Sequence, residues 1–163
     1  MIRIVPALAL AAALLMPASQ ISFAQTSPAQ IVKERQDGMK KNWSGYYRDI
    51  SRTLKTEKPD LALIATNAAG ASQHLSELEK LFPPGTGRDA VPKTRAKPDV
   101  WTKRAEFEAA FKTLIDATNA MGDAAKKGDL EKVKVEWQAT AKACGGCHGG
   151  PEKAGGKFRF EED

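Results

Sequence analysis

Cysteine, histidine and the β-branched aliphatics are scarce in this chain of 163 residues. It has two Cys and two His. That excludes a disulfide scaffold and argues against structural zinc, which needs four nitrogen or sulfur ligands and would have to use the adjacent Cys147 and His148. After residue 24, Val and Ile together occur nine times against 19 Ala. Ala loses no side-chain entropy in a helix, so the composition points to an all-α fold. No Lys/Arg-rich run with interleaved aromatics is present, which argues against nucleic acid as a partner. Long apolar runs are missing too, except at the start. Arg3, the uncharged stretch from Ile4 to Met16 and the small-x-small Ser22-Phe23-Ala24 have the layout of a secretory signal cleaved before Gln25. Its 13 apolar-region residues fall short of the about 20 that cross a bilayer. Residues 1–24 are therefore expected to be a signal peptide, and 25–163 one exported domain with no membrane span. That domain has 139 residues and a net charge of +4, a mild bias toward acidic protein partners.

Proline and glycine punctuate the exported part into four helical stretches, expected at about 28–56, 59–82, 98–127 and 130–148. Ser27-Pro28-Ala29-Gln30 reads as a helix start with a capping box. In the first stretch Val32, Arg35/Gln36, Met39, Trp43, Tyr46/Tyr47, Ile50 and Leu54 recur at steps of three and four, interrupted by Gly38 and Gly45. Pro59-Asp60 opens the second, where Leu61, Ile64, Ala68, Ala71, Leu75, Leu78 and Phe82 form an apolar seam. A polar connection begins at Pro83-Pro84-Gly85, and Pro98 restarts the pattern through Val100/Trp101, Phe107, Phe111, Leu114, Thr118 and Met121. After Gly128, Asp129 can cap the fourth stretch, whose Leu130, Val133, Trp137, Thr140, Cys144 and Cys147 share one face. The expected architecture is an antiparallel four-helix bundle.

Cys144-Gly145-Gly146-Cys147-His148 is C-x-x-C-H, the attachment signal for c-type haem. Residues three apart on a helix project to the same side, so two thiols can form thioether bonds to the two vinyl groups of one porphyrin, and His148 can ligate the iron. A thioredoxin-like dithiol would want strands, which the pattern lacks, and a disulfide across so short a loop would constrain little. For the sixth iron position the exported part offers Met39, Met121 and His74. An up-down-up-down arrangement brings the start of the first helix level with the end of the fourth, favouring Met39. Met121 falls at the far end, and His74 lies beside the apolar seam, the position of a boundary histidine. Met39 is expected at the haem, with coordination and simple packing both open.

On these residues the chain resembles the cytochrome c prime family, the class II cytochromes c. The resemblance rests on Lys33-Glu34-Arg35-Gln36-x-x-Met39-Lys40, on Leu81-Phe82-Pro83-Pro84-Gly85-Thr86-Gly87, on Pro98-Asp99-Val100-Trp101 with Phe107, and on a haem motif close to the C-terminus. It implies a periplasmic four-helix bundle with one covalent haem c, attached at Cys144 and Cys147. It further implies His148 as axial ligand, Met39 at the distal position, and Arg35 and Gln36 near the haem propionates or edge. Low-spin relatives ligate iron through a Met there; high-spin members carry an apolar residue and leave the iron open to gases. Many members pair as homodimers, an arrangement the resemblance leaves open. The expected function is therefore electron transfer with soluble or membrane-associated redox proteins, without catalysis; the alternative is a five-coordinate protein that binds NO or CO. The chain departs from the family after His148. Pro151 and Glu152 stand where an aromatic and a basic residue are usual, and Phe158-Arg159 follows only after a Gly-rich insertion.

Overall fold

The computed structural model describes residues 26–149 and 155–160; the expected signal segment 1–24 lies outside them, as do Pro151 and Glu152. Capping residues set where the helices begin. Ser27 accepts the Gln30 N–H at 3.2 Å and Pro28 occupies the first turn of α1 (Pro28–Asn42). The Gln30 side chain reaches forward to Glu34 instead of back to the cap, so only half of the capping box forms. A π turn (Trp43–Tyr47) joins α1 to α2 (Arg48–Thr53). Asp60 caps α3 (Leu61–Glu79) by accepting from Leu63 N–H at 2.9 Å. The short α4 (Asp99–Thr102) breaks at Lys103 before α5 (Arg104–Lys126). Gly128, at φ 76°, makes the turn into α6 (Leu130–His148), whose cap Asp129 accepts from Lys132 N–H at 2.9 Å.

Together these form the four-helix bundle, with α1, the π turn and α2 as its first member. The seam of α3 is buried as its spacing requires: Ile64, Ala68, Ala71, Leu75 and Leu78 are all at most 1% exposed. It shares one hydrophobic core with Phe107, Phe111, Met121, Ala124 and Ala125 of α5 and Val133 of α6, with α3 packed on α5 and α5 on α6. Gly122 lets α5 approach α3, since a Cβ there would stand 3.1 Å from that of Ala68. Phe82, Phe107, Phe111 and Phe158 form an edge-on aromatic cluster with ring centroids 4.8–5.9 Å apart. The closest packing runs α3 to α5 to α6; α1 lies on α3 and makes little contact with α6.

Trp43, expected on the inward face, is instead 56% exposed. The buried positions are Val32, Arg35, Asn42, Tyr47 and Ile50. The five-residue step from Asn42 to Tyr47 is the π turn, which rotates Trp43 outward and substitutes a polar residue that hydrophobic periodicity does not register.

After α6 the chain returns as a strap over residues 155–160. Ala96 and Arg159 form one antiparallel bridge, Phe160 N–H bonds Arg95 O and Lys97 N–H bonds Phe158 O. Phe158 enters the core. Lys157 N–H and Phe158 N–H reach Gly146 O and Cys147 O at 3.3 and 3.4 Å, so the strap takes up carbonyls that a helix C-terminus leaves unpaired. Only glycine fits at 156, where a Cβ would lie 2.2 Å from Cys147 O.

Candidate haem site

Cys144 and Cys147 are free, half-buried and one turn apart near the end of α6. Burial pushes the Cys144 thiol up. Cys147 rises to about 11, through desolvation first and then the neighbouring Cys144. A Cβ at either Gly145 or Gly146 would meet no atom of a neighbouring element within 4 Å, so the helix face opposite the two thiols is open. Gly149, at φ 85°, ends the helix with its N–H on Gly145 O at 2.7 Å. His148 is exposed at that end. Its pKa is lowered, first by desolvation in a crowded setting and then by Arg159 and Arg95. The strap therefore returns Arg159 to the neighbourhood of His148 despite the insertion.

On α1, Arg35 and Met39 are one turn apart on the buried face. The Arg35 guanidinium is only 4% exposed. It donates to Leu81 O, Thr86 Oγ1 and Thr86 O at 3.3 Å each and to Thr94 Oγ1 at 2.7 Å, and lies over the Phe82 ring at 4.3 Å. All of these partners are neutral, and among the described residues it has no carboxylate partner. Desolvation brings its pKa down to about 10. Met39 is half-buried and packs against the core, and Gln36 is exposed. His74 is tied to α1 instead, its Nε2 3.0 Å from Gly38 O and its ring 6.1 Å from Tyr46. Met121 is fully buried in the core, seven residues before the turn that starts α6 and so at the far end from Cys144.

Sequence reasoning missed three buried polar residues, Thr86, Thr94 and Asn42. Thr86 and Thr94, in a connection without apolar period, are 1% and 2% exposed and hold Arg35. Asn42 and Thr140 are 4% and 1% exposed. Thr140 is buried as its inward period on α6 requires, whereas Asn42 carries no such signal without knowledge of the π turn.

The donor set fits a haem better than a bare metal. Two thiols a turn apart with an imidazole beside them suit a porphyrin and its iron, and the buried cation on α1 calls for an anion. Among the described residues no group of three or more His, Cys, Asp or Glu is disposed to hold a metal ion, and no helix is long and apolar enough to cross a membrane. A helical bundle whose last helix ends in C-x-x-C-H defines the class of bundle-type haem proteins. The chain belongs to the cytochrome c′ family, whose description, Cytochrome C', matches residues 30–150. It is 31% identical over 122 residues to a cytochrome c′ of Pararhodospirillum photometricum, covering 75% of this chain and 95% of that protein. It is 40% identical over 106 residues to a cytochrome c′ of Rubrivivax gelatinosus, covering 64% and 81%. Its fold matches a nitric oxide complex of a mutant cytochrome c prime from Alcaligenes xylosoxidans, with TM-score 0.71, 24% identity and coverage of 85% and 99%. Cytochromes c′ are non-enzymatic proteins with one covalent haem c, typically periplasmic. The two cysteines near the C-terminus suit that attachment.

Proposed function

We propose that the protein is a periplasmic electron-transfer cytochrome, exported by a signal cleaved after Ala24, with haem c linked through Cys144 and Cys147 and iron bound by His148 and Met39. One observation carries this reading: α1 presents a buried guanidinium, without a carboxylate partner among the described residues, and a thioether one turn apart, on the helix that leaves α6 loosely contacted. A buried cation is unfavourable unless an anion compensates it, and a haem propionate is that anion. Gln36, exposed one residue on, serves the haem edge. When bound, the haem supplies a one-electron ferric–ferrous couple. The chain's part is to hold it: the thiols fix it covalently, His148 and Met39 set its ligand field, and Arg35 orients its charged edge. Met/His ligation raises the potential relative to His alone. Partners are soluble or membrane-associated redox proteins, attracted by the mild positive charge, and a homodimer is testable by sedimentation.

A second reading has Met39 packed over the iron without binding it, leaving a five-coordinate site for NO or CO. The nitric oxide complex of the fold relative and the packing of Met39 against the core favour it. Visible spectra of the reduced protein, with and without carbon monoxide, separate the two. Electron transfer predicts a low-spin spectrum indifferent to the gas, and Met39→Ala converts it to a high-spin, gas-binding one. A high-spin native spectrum with ready CO binding sinks Met39 ligation. A chain produced with haem-attachment machinery that gains no covalent mass sinks both.

A further inference from the structure

The helix that carries Met39 is held to the bundle by few elements. Beyond the Arg35 cradle, α1 lies on α3 and has little contact with α6, so the depth at which it sits is set along its seam with α3. Two glycine notches fix that seam. A Cβ at Gly38 would stand 2.3 Å from Leu78 Cδ2, and one at Gly70 would stand 2.6 Å from Tyr46 Cε1, so each side offers bare backbone where the other brings a large side chain. The two contacts define one antiparallel register, with Gly38 opposite Leu78 and Tyr46 opposite Gly70.

His74 stands midway between the notches, one turn from Gly70 and one from Leu78 on the same face of α3. Its Nε2 lies 3.0 Å from Gly38 O, and its ring centroid 6.1 Å from that of Tyr46. The carbonyl oxygen can only accept, so Nε2 carries the proton and donates it. That commits the nitrogen which could otherwise have ligated iron. A carbonyl has two lone pairs, so Gly38 O takes this N–H without giving up a helical partner. The bond lands on the residue before Met39. Gly38 has no side chain by which α3 could hold it, so the carbonyl is the handle, and fixing it fixes the backbone from which the thioether reaches. Met39 itself is half-buried against the core and has three rotatable side-chain bonds, so its position is set from outside.

We propose that His74 is a positioning residue for Met39: by donating to Gly38 O it holds α1 at the register that keeps the thioether over the iron. This rests on Met39 lying at the iron, the reading proposed above.

The test is a double-mutant cycle in the haem-loaded protein, with carbon monoxide as the probe of access to ferrous iron. His74→Leu and His74→Phe both remove the donor, the second keeping a ring against Tyr46, so that one variant serves where the other fails to fold. His74→Gln instead offers an amide N–H at similar reach. With Met39 present, loss of the donor is expected to raise the carbon monoxide binding constant by up to about tenfold, the factor that one hydrogen bond's contribution allows, and to increase the high-spin share of the visible spectrum. His74→Gln is expected to return most of the native behaviour. In a Met39→Ala background the same changes at His74 are expected to leave gas binding unaltered, because the side chain being positioned is gone. A purely structural role would lower the thermal midpoint in both backgrounds without that coupling. Native gas binding in the donor-less variants, an equal change with and without Met39, or a His74→Gln that matches them overturns the assignment. A high-spin native spectrum overturns Met39 ligation alone. A thioether held over an open iron still obstructs the gas, so the cycle reads His74 separately.

Discussion

Arg35 and Tyr47 are the two buried residues whose ionisable groups sit deepest on the first bundle member, and each makes a measurable prediction. Arg35→Met in the haem-loaded protein removes four donated hydrogen bonds and the compensating charge, and is expected to lower unfolding stability by about 3 kcal/mol, read as a shift in guanidinium midpoint. Arg35→Lys is not expected to restore it, because an ammonium lacks the planar fork that spans Thr86 and Thr94. Tyr47 is pushed up to about 12, by desolvation above all, against an ordinary 10.0. Its folded-state pKa is the higher one, so the folded chain holds the proton more tightly. The resulting stability is fully present below pH 10 and is lost as pH rises through about 12. Tyrosinate absorbance should show a late step near pH 12 that disappears in Tyr47→Phe.

Elements show where sequence reading succeeds and where it stops. Caps and seams were legible because each follows from local chemistry: Asp60 and Asp129 accept the N–H groups that a helix start leaves free, and the three-four stepping of α3 is buried along its length. The π turn was not legible, since one added residue per turn leaves no mark in a pattern read at 3.6. Its consequence was the misplacement of Trp43 and the omission of Asn42. The strap was hidden for another reason: its order comes from distant partners at residues 95–97 and 146–147, not from its own Gly-rich sequence. Gly156→Ala would drive a Cβ into the Cys147 carbonyl and is expected to detach the strap. Faster amide exchange at Lys157 and Phe158, with the visible spectrum retained, would show it. Gly38→Ala is expected to destabilise by about 1 kcal/mol or more, because a Cβ 2.3 Å from Leu78 Cδ2 overpacks the α1–α3 contact and outweighs the gain in helix propensity. Thermal midpoints would check it.

At the scale of the whole molecule the bundle was readable from Ala content and period, and the haem motif from five consecutive residues, whereas the cradle of Arg35 was not, because it joins residues 46 to 59 positions apart. Exposed one-turn ion pairs such as Arg104–Glu108 and Lys112–Asp116 decorate the surface and contribute little to stability. The larger contribution should come from the cofactor: Cys144→Ser with Cys147→Ser is expected to give a chain of unaltered helix content but a lower and broader thermal transition, followed by circular dichroism, because α1 and α6 have little direct contact to hold them. The strap gives this topology an order in time. Lys97 and Phe158 close a loop of 61 positions, and the closing segment follows the attachment motif in the chain. Once it lies on the carbonyls of Gly146 and Cys147, the backbone of the attachment motif is already committed. Covalent loading is therefore expected to precede closure, making the C-terminal segment a record that maturation is complete.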